Sequence, residues 1–575
     1  MYRLHPRQTL SILLSTMFIM QGCSPTKQTT EEVETLKSPQ IEVDVVKEEK
    51  QKRQSSIPQM IPGATMDIAS TNIVERERFS APQKLLNYGA TPRSIMAQES
   101  YYPQQRYYSQ ESYSAVNENS FISTFNDSLS TFSIDVDTGS YANIRRMLIA
   151  GHKVPVGAVR IEEMLNYFSY NYPEPTATPI GITTEVGPCP WQPEHKIARI
   201  GIKGKEIETN LLPPSNLVFL IDVSGSMNQA QKLPLVKKSL QMLAKQLTDK
   251  DRISIVVYAG NNRIVLPPTA GDQKDIIYQA IGQLNSGGAT HGSAGILSAY
   301  KLAHQNFFPG GNNRIILASD GDFNVGVTSR GELTKLIETE REKGVFLTVL
   351  GFGNGNYKDD TMEMLADKGN GNYSYIDSLL EAKKVLVKER SSTLFTLARD
   401  VKLQIEFNPA KVGAYRLLGY ENRLLADEDF TNDKKDAGEI GVGHTVTALY
   451  ELIPLGSPNL PSVPDRKYQR TLPVENQDDE LLTVSLRYQE PQGSASRQIS
   501  QTLVESNTDF ASTSDDFRFA TSVAWFGMLL QKSEFVTTAD YPKLIKTAKL
   551  SRGKDNEGLR AELVKLVEMA QLLTN

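Results

Sequence analysis

The sequence predicts an α/β protein: a doubly wound, Rossmann-like parallel sheet flanked by a β-rich region and closed by C-terminal helices. Three observations predict it. Between residues 214 and 398, continuous apolar strands alternate with amphipathic helices, the pattern of a sheet covered on both faces. From 399 to 510 the hydrophobic period falls to two, as in half-buried strands. From 511 to 575 the apolar residues fall into helical stripes.

Taken in order, residues 1–23 read as a targeting segment. Arg3 and Arg7 precede an apolar stretch from Leu10 to Met20, too short for the roughly 20 residues that span a bilayer. The end, "MQGC", resembles a bacterial lipobox with Cys23 as the lipidated residue, although Met20 and Gln21 depart from that pattern. Ser24 in the next position resembles lipoproteins sorted to the outer membrane. The expectation is a periplasmic chain of the bacterial cell envelope, anchored to the membrane through an N-terminal lipid. Residues 24–120 mix charges with little apolar periodicity and include the Tyr/Gln-rich run "QESYYPQQRYYSQESYS", so a disordered linker is expected. Such a tether would have an r.m.s. reach of roughly 55 Å.

Residues 121–213 form an N-terminal region of two short helices, "GSYANIRRMLIAG" and "VRIEEMLNYFSY", followed by strands. Within 214–398, "NLVFLI", "RISIVVYA", "RIILAS" and "VFLTVLGF" read as buried strands, with a long helix ending near Ala398. Val236, Leu240, Leu243 and Leu247 share one helix face. In 399–510, "VKLQIEFNP", "TVTALYEL" and "LLTVSLRYQ" read as strands that can combine with those before residue 214, making the α/β unit an insertion. In 511–575, Phe519, Val523, Phe526 and Leu530 form one stripe, and Leu559, Leu563, Leu566, Ala570 and Leu573 another. Both read as core.

Bulk properties exclude some roles. A net charge of −5 over 575 residues, without a basic stripe, argues against nucleic acid as a partner. Only two cysteines are present, so with Cys23 lipidated no intrachain disulfide forms, and Cys189 reads as a small packed residue.

The chemistry concentrates in "FLIDVSGSM". Here an apolar strand stops at Asp222, and Ser224 and Ser226 follow. Ligands of an open parallel sheet bind at the carboxyl ends of its strands, where three loops converge. The second loop, "SGGATHGS", carries Thr290, and the third, "LASDGDF", carries Asp320. Two carboxylates and three hydroxyls are all hard oxygen donors, which suits Mg²⁺ or, as a substitute, Mn²⁺. A coordination position left open would accept a partner's carboxylate.

These residues resemble the metal-ion-dependent adhesion site (MIDAS) of von Willebrand factor type A (VWA) domains, and all five positions match. The resemblance implies that Ser224, Ser226 and Thr290 bind the metal directly, with Asp222 and Asp320 binding directly or through water. It gives Asp322 an outer position at most. A narrower resemblance to YfbK-type bacterial proteins rests on "STFSIDVDTGSYANIRRML", "VRIEEMLNYF", "GFGNGNYKDDTMEMLADKGNGNYSYID" and "DDFRFATSVAWFGMLLQKS". It implies a central VWA domain between two family-specific regions.

An upstream near-copy, "IDVDTGSY", places Asp135, Asp137, Thr138 and Ser140 before a helix, with no second and third loop to complete a metal shell. It reads as helix capping and packing, with Thr138 or Ser140 as the N-cap. Functionally, the sequence predicts a non-enzymatic, extracytoplasmic binding module or scaffold that engages an acidic side chain of a protein partner through its metal. The alternatives are an assembly factor whose metal only stabilises loops, and a metal-dependent hydrolase. Against the last, the six histidines make no H-E-x-x-H pair, and only His291 in the second loop could serve as a base.

Overall fold

The computed structural model describes residues 111–574, apart from 135, 260–261, 289–291, 322–329, 462–478, 492, 494 and 537. The expected targeting segment, Cys23 and nearly all of the expected linker lie outside the described residues. No helix among the described residues is long and apolar enough to cross a membrane.

The strand Ser215–Asp222 is buried at every position because it lies in the middle of the α/β sheet. In order across that sheet come Tyr373–Ile376, Phe346–Phe352, Asn312–Ser319, Ser215–Asp222, Arg252–Tyr258 and Arg263–Ala270. The first five run parallel, and the last is antiparallel. Side chains of Ser215–Asp222 alternate between two cores. Leu217, Phe219 and Ile221 pack with helices Leu233–Gln246 and Lys274–Gly282, while Val218 and Leu220 pack on the other face with Gly292–Gln305, Arg330–Glu342 and Asp359–Lys368. A strand buried on both sides reads as an unbroken apolar run for this reason. The antiparallel strand Arg263–Ala270 was not expected; Pro267 and Pro268 interrupt its pattern, and a proline is tolerated there because the strand is an edge.

The expected long helix up to Ala398 is broken into Leu379–Lys383, a π-turn at Lys384–Lys388 and Arg390–Leu394. The Glu389 N–H donates to the Lys384 carbonyl five residues back, which widens the helix there. Strand Thr396–Phe407 then starts inside the interval assigned to that helix.

Two further sheets pack face to face into a sandwich around one core that includes Phe132, Ile200, Leu403, Val446, Tyr450 and Val484. In one, Thr445–Pro454 lies between Val412–Leu418 and Lys196–Gly204; in the other, Thr396–Phe407 lies between Leu129–Ser133 and Glu480–Gln489. The chain thus leaves the sandwich after Lys196–Gly204, builds the α/β unit, and re-enters at Thr396. The unit is an insertion, as the sequence suggested.

Helix Asp515–Gln531 is buried around most of its circumference, packed against Ile161–Asn166 and Tyr541–Leu550 in a core shared with Gly139–Ile149 and Leu559–Thr574. Phe519, Val523, Phe526, Leu563, Leu566 and Ala570 are core, and Leu530, Leu559 and Leu573 are partly buried against it. Cys189 is a buried free thiol whose ionisation burial opposes.

Residues 111–120, counted with the linker on composition, pack on this body. Ser112 bridges the chain at Lys358, the Gly355 N–H donates to Glu111 at 2.8 Å, and Glu118 pairs with Arg416 at 2.7 Å. The upstream "IDVDTGSY" segment is also structural, but not as a side-chain N-cap. Thr138 occupies the N-cap position of Gly139–Ile149 without a side-chain capping bond. The Glu163 carboxylate accepts the Ser140 N–H instead, at 2.7 Å, and the Ser140 hydroxyl donates to the Ala158 carbonyl. A longer side chain from the next helix has taken over the capping role. Asp137 accepts the Tyr373 N–H at 2.7 Å and thereby finishes the edge of the α/β sheet. Asp135 lies outside the described residues.

Candidate functional site

Asp222 ends the central strand, and Asp320 directly follows the neighbouring parallel strand Asn312–Ser319. Parallel pairing therefore brings both carboxylates to the same end of the sheet. Beyond Asp222 the chain cannot continue as a strand, because Ser224 turns it into the short 3₁₀ helix Gly225–Asn228. That turn is tied down by its backbone: Gly225 donates to Gly288, and Gly287 donates to Val223. The loop carrying Thr290 is thus held against it two residues before the threonine.

The oxygens converge. Ser224 Oγ and Ser226 Oγ are 3.1 Å apart, and the Ser226 hydroxyl donates to Asp320 Oδ2 at 2.7 Å. Asp222 accepts the Ser224 N–H at 2.9 Å on Oδ1, and the Ser319 and Tyr258 hydroxyls at 3.2 and 3.3 Å on Oδ2. Four of the five expected site residues, Asp222, Ser224, Ser226 and Asp320, come together. Thr290 lies outside the described residues, as do His291 and Asp322.

Both carboxylates are fully buried, which normally penalises their charged forms. For Asp222 burial wins, helped by the nearby charge of Asp320, and its pKa is pushed up to about 6. For Asp320 burial is more than offset by Lys232, Ser226 and Asn356, and the carboxyl is held below its ordinary range. Those last contacts reveal two residues that the sequence reading missed. Lys232 Nζ donates to Asp320 Oδ2 at 2.8 Å and to Asn356 Oδ1 at 2.9 Å, and Asn356 Nδ2 donates to the same Asp320 oxygen at 3.2 Å.

The donor set fits a hard divalent cation: two carboxylates and two hydroxyls, with no sulfur or imidazole. Because Ser226 gives its proton to Asp320, it accepts from Ser224 in their mutual contact and keeps one lone pair for a metal. No group of three or more His, Cys, Asp or Glu residues that could hold a metal occurs among the described residues.

Comparison with known proteins bears on the three regions separately. The family model for the von Willebrand factor type A domain matches residues 216–388, one described as von Willebrand factor matches 107–199, and one described as "Uncharacterized protein YfbK, C-terminal" matches 392–573. "Uncharacterized protein YfbK" of Escherichia coli (strain K12) is 41% identical over 475 residues, covering 80% of this chain and 81% of the relative. "Uncharacterized protein sll0103" of Synechocystis is 29% identical over 187 residues, covering 32% of this chain and 43% of the relative. Among solved structures, a von Willebrand factor type A protein from Catenulispora acidiphila matches at 15% identity. It covers 68% of this chain and 91% of its own, with a TM-score of 0.39.

Proposed function

The chain belongs to the YfbK family, with a von Willebrand factor type A domain at its centre, and on that premise we propose that it is a non-enzymatic binding module. Asp222, Ser224, Ser226, Thr290 and Asp320 hold Mg²⁺ or Mn²⁺, and the acidic side chain of a protein partner completes the site. A bound cation supplies an electrophilic centre that a carboxylate oxygen can complete. The observation that carries this reading is the convergence of Ser224, Ser226 and Asp320 within hydrogen-bond reach of one another at the carboxyl ends of adjacent parallel strands.

The residues divide the work. Asp222 is held rigid by three donors, so it orients without reorganising. Ser224 and Ser226 contribute neutral oxygens, which leave the cation's charge for the partner. Around Asp320 stand a lysine ammonium, an amide and a hydroxyl. That set fixes charge and position rather than moving protons, which favours binding over hydrolysis.

Lipidation at Cys23 would tether the module in the cell envelope, on the outer membrane; palmitate labelling lost in Cys23→Ala tests this placement. For the site, the immobilised chain is exposed to envelope proteins with Mg²⁺, with chelator, and as Asp222→Ala. The expected result is a partner retained only by the native chain with metal. A partner retained after chelation and by Asp222→Ala would overturn metal-mediated adhesion and favour an assembly scaffold.

A further inference from the structure

Lys232 is a cation inside a site proposed to hold a cation. Its side chain is 2% exposed and that of Asp320 0% exposed, so the ion pair is shielded from solvent. The lysine is anchored twice, on Asp320 Oδ2 and on Asn356 Oδ1. Its stem lies against Gly353, where φ is +84° and a Cβ would collide with the lysine's methylenes. Asn356 and Gly353 both belong to the loop after strand Phe346–Phe352, so that loop is shaped around the lysine.

We propose that Lys232 is a resident counter-cation that makes metal capture depend on an acidic ligand. The inference rests on the metal-binding reading of the site. Counting Asp222, Asp320 and Lys232, the site carries one net negative charge before any metal enters. A divalent cation brings it to a net charge of one positive, in a place where both carboxylates are buried. Unbalanced buried charge is costly, and a partner's carboxylate removes the surplus. Metal and acidic ligand therefore favour each other's binding, and by linkage the enhancement is the same in both directions. Without Lys232 the two aspartates would balance the metal alone, and the site would fill without a partner.

The test is calorimetric titration of the full-length chain with Mn²⁺, with and without acetate as the carboxylate probe. Native protein is compared with Lys232→Met, which keeps most of the stem, and with Lys232→Gln as a second uncharged variant. Native protein should bind Mn²⁺ weakly alone and more tightly with acetate. Both variants should bind Mn²⁺ alone about tenfold tighter or more, and gain little from acetate. Metal binding by the variants but not by native protein would support the proposal as well. Variants that match native protein in both affinity and acetate response would overturn it while leaving the metal site standing. No Mn²⁺ binding by any of the three, with or without acetate, would remove the metal site and this inference together.

Discussion

A lysine immediately before a helix runs against the helix dipole, which favours anions at that end. Lys232 occupies that position ahead of Leu233–Gln246, a cation without local reason. Its reason, Asp320, lies 88 residues away in the chain, so no local pattern could reveal the pair. Asp222, Ser224 and Ser226 were legible because they stand at alternate positions within five residues of one strand end. Asn356 was not, since asparagine in a glycine-rich loop is ordinary turn chemistry. His444 illustrates the same limit. Burial, with Lys384 and Lys203 nearby, lowers its pKa to about 4, and its Nδ1 is buried with no hydrogen-bond partner among the described residues. The unfolded chain takes up this proton near pH 6.5, the folded chain only near pH 4. Stability from His444 is therefore complete above pH 6.5 and falls as the pH drops toward 4, by on the order of 2 kcal/mol. Denaturant midpoints measured across that window should decline more steeply for native protein than for His444→Gln. Equal slopes would show that His444 does not carry this dependence.

Among elements, those with a strong period were readable and those defined by a partner were not. The strand "NLVFLI" declares itself because both its faces meet helices. The edge strand Arg263–Ala270 carries two prolines and only one paired side, so its sequence resembles a loop. "IDVDTGSY" shows the danger of local likeness in the other direction. It is a near-copy of the candidate site, yet Asp137 binds the backbone of Tyr373 and pairs with Arg423 at 3.6 Å. Asp137→Ala removes the acceptor of a buried N–H and one partner of an arginine, and should cost about 1–3 kcal/mol of stability. Mn²⁺ titration of that variant should match native protein. A lost metal equivalent would instead identify a second metal site, and an unchanged midpoint would deny the segment its packing role.

At the scale of the molecule, the flanking regions are a single structure that the α/β unit interrupts. Arg145, near the start of the body, reaches Asp377 at 2.5 Å, Glu381 at 2.7 Å and Glu562 at 3.2 Å, joining the N-terminal region, the α/β unit and the last helix. Arg160 pairs with Glu163 and also with Asp359 and Glu363 of the α/β unit, which repeats the pattern beside the other helix. Breaking buried pairs of this kind typically costs about 3–5 kcal/mol, so the regions constrain one another strongly. The sandwich is bound more closely still. Thr396–Phe407 and Thr445–Pro454 each need a neighbour contributed from before residue 214, namely Leu129–Ser133 and Lys196–Gly204. Residues 399–575 expressed alone would keep their helices but expose the unpaired edges of two central strands, a template for aggregation. The expected outcome is poor chemical-shift dispersion and no cooperative thermal transition for 399–575 alone, with dispersion and cooperativity restored on co-expression with residues 111–398. A cooperative transition for the isolated segment would mean that the sandwich is stable without those strands, and that the insertion joins two independent domains.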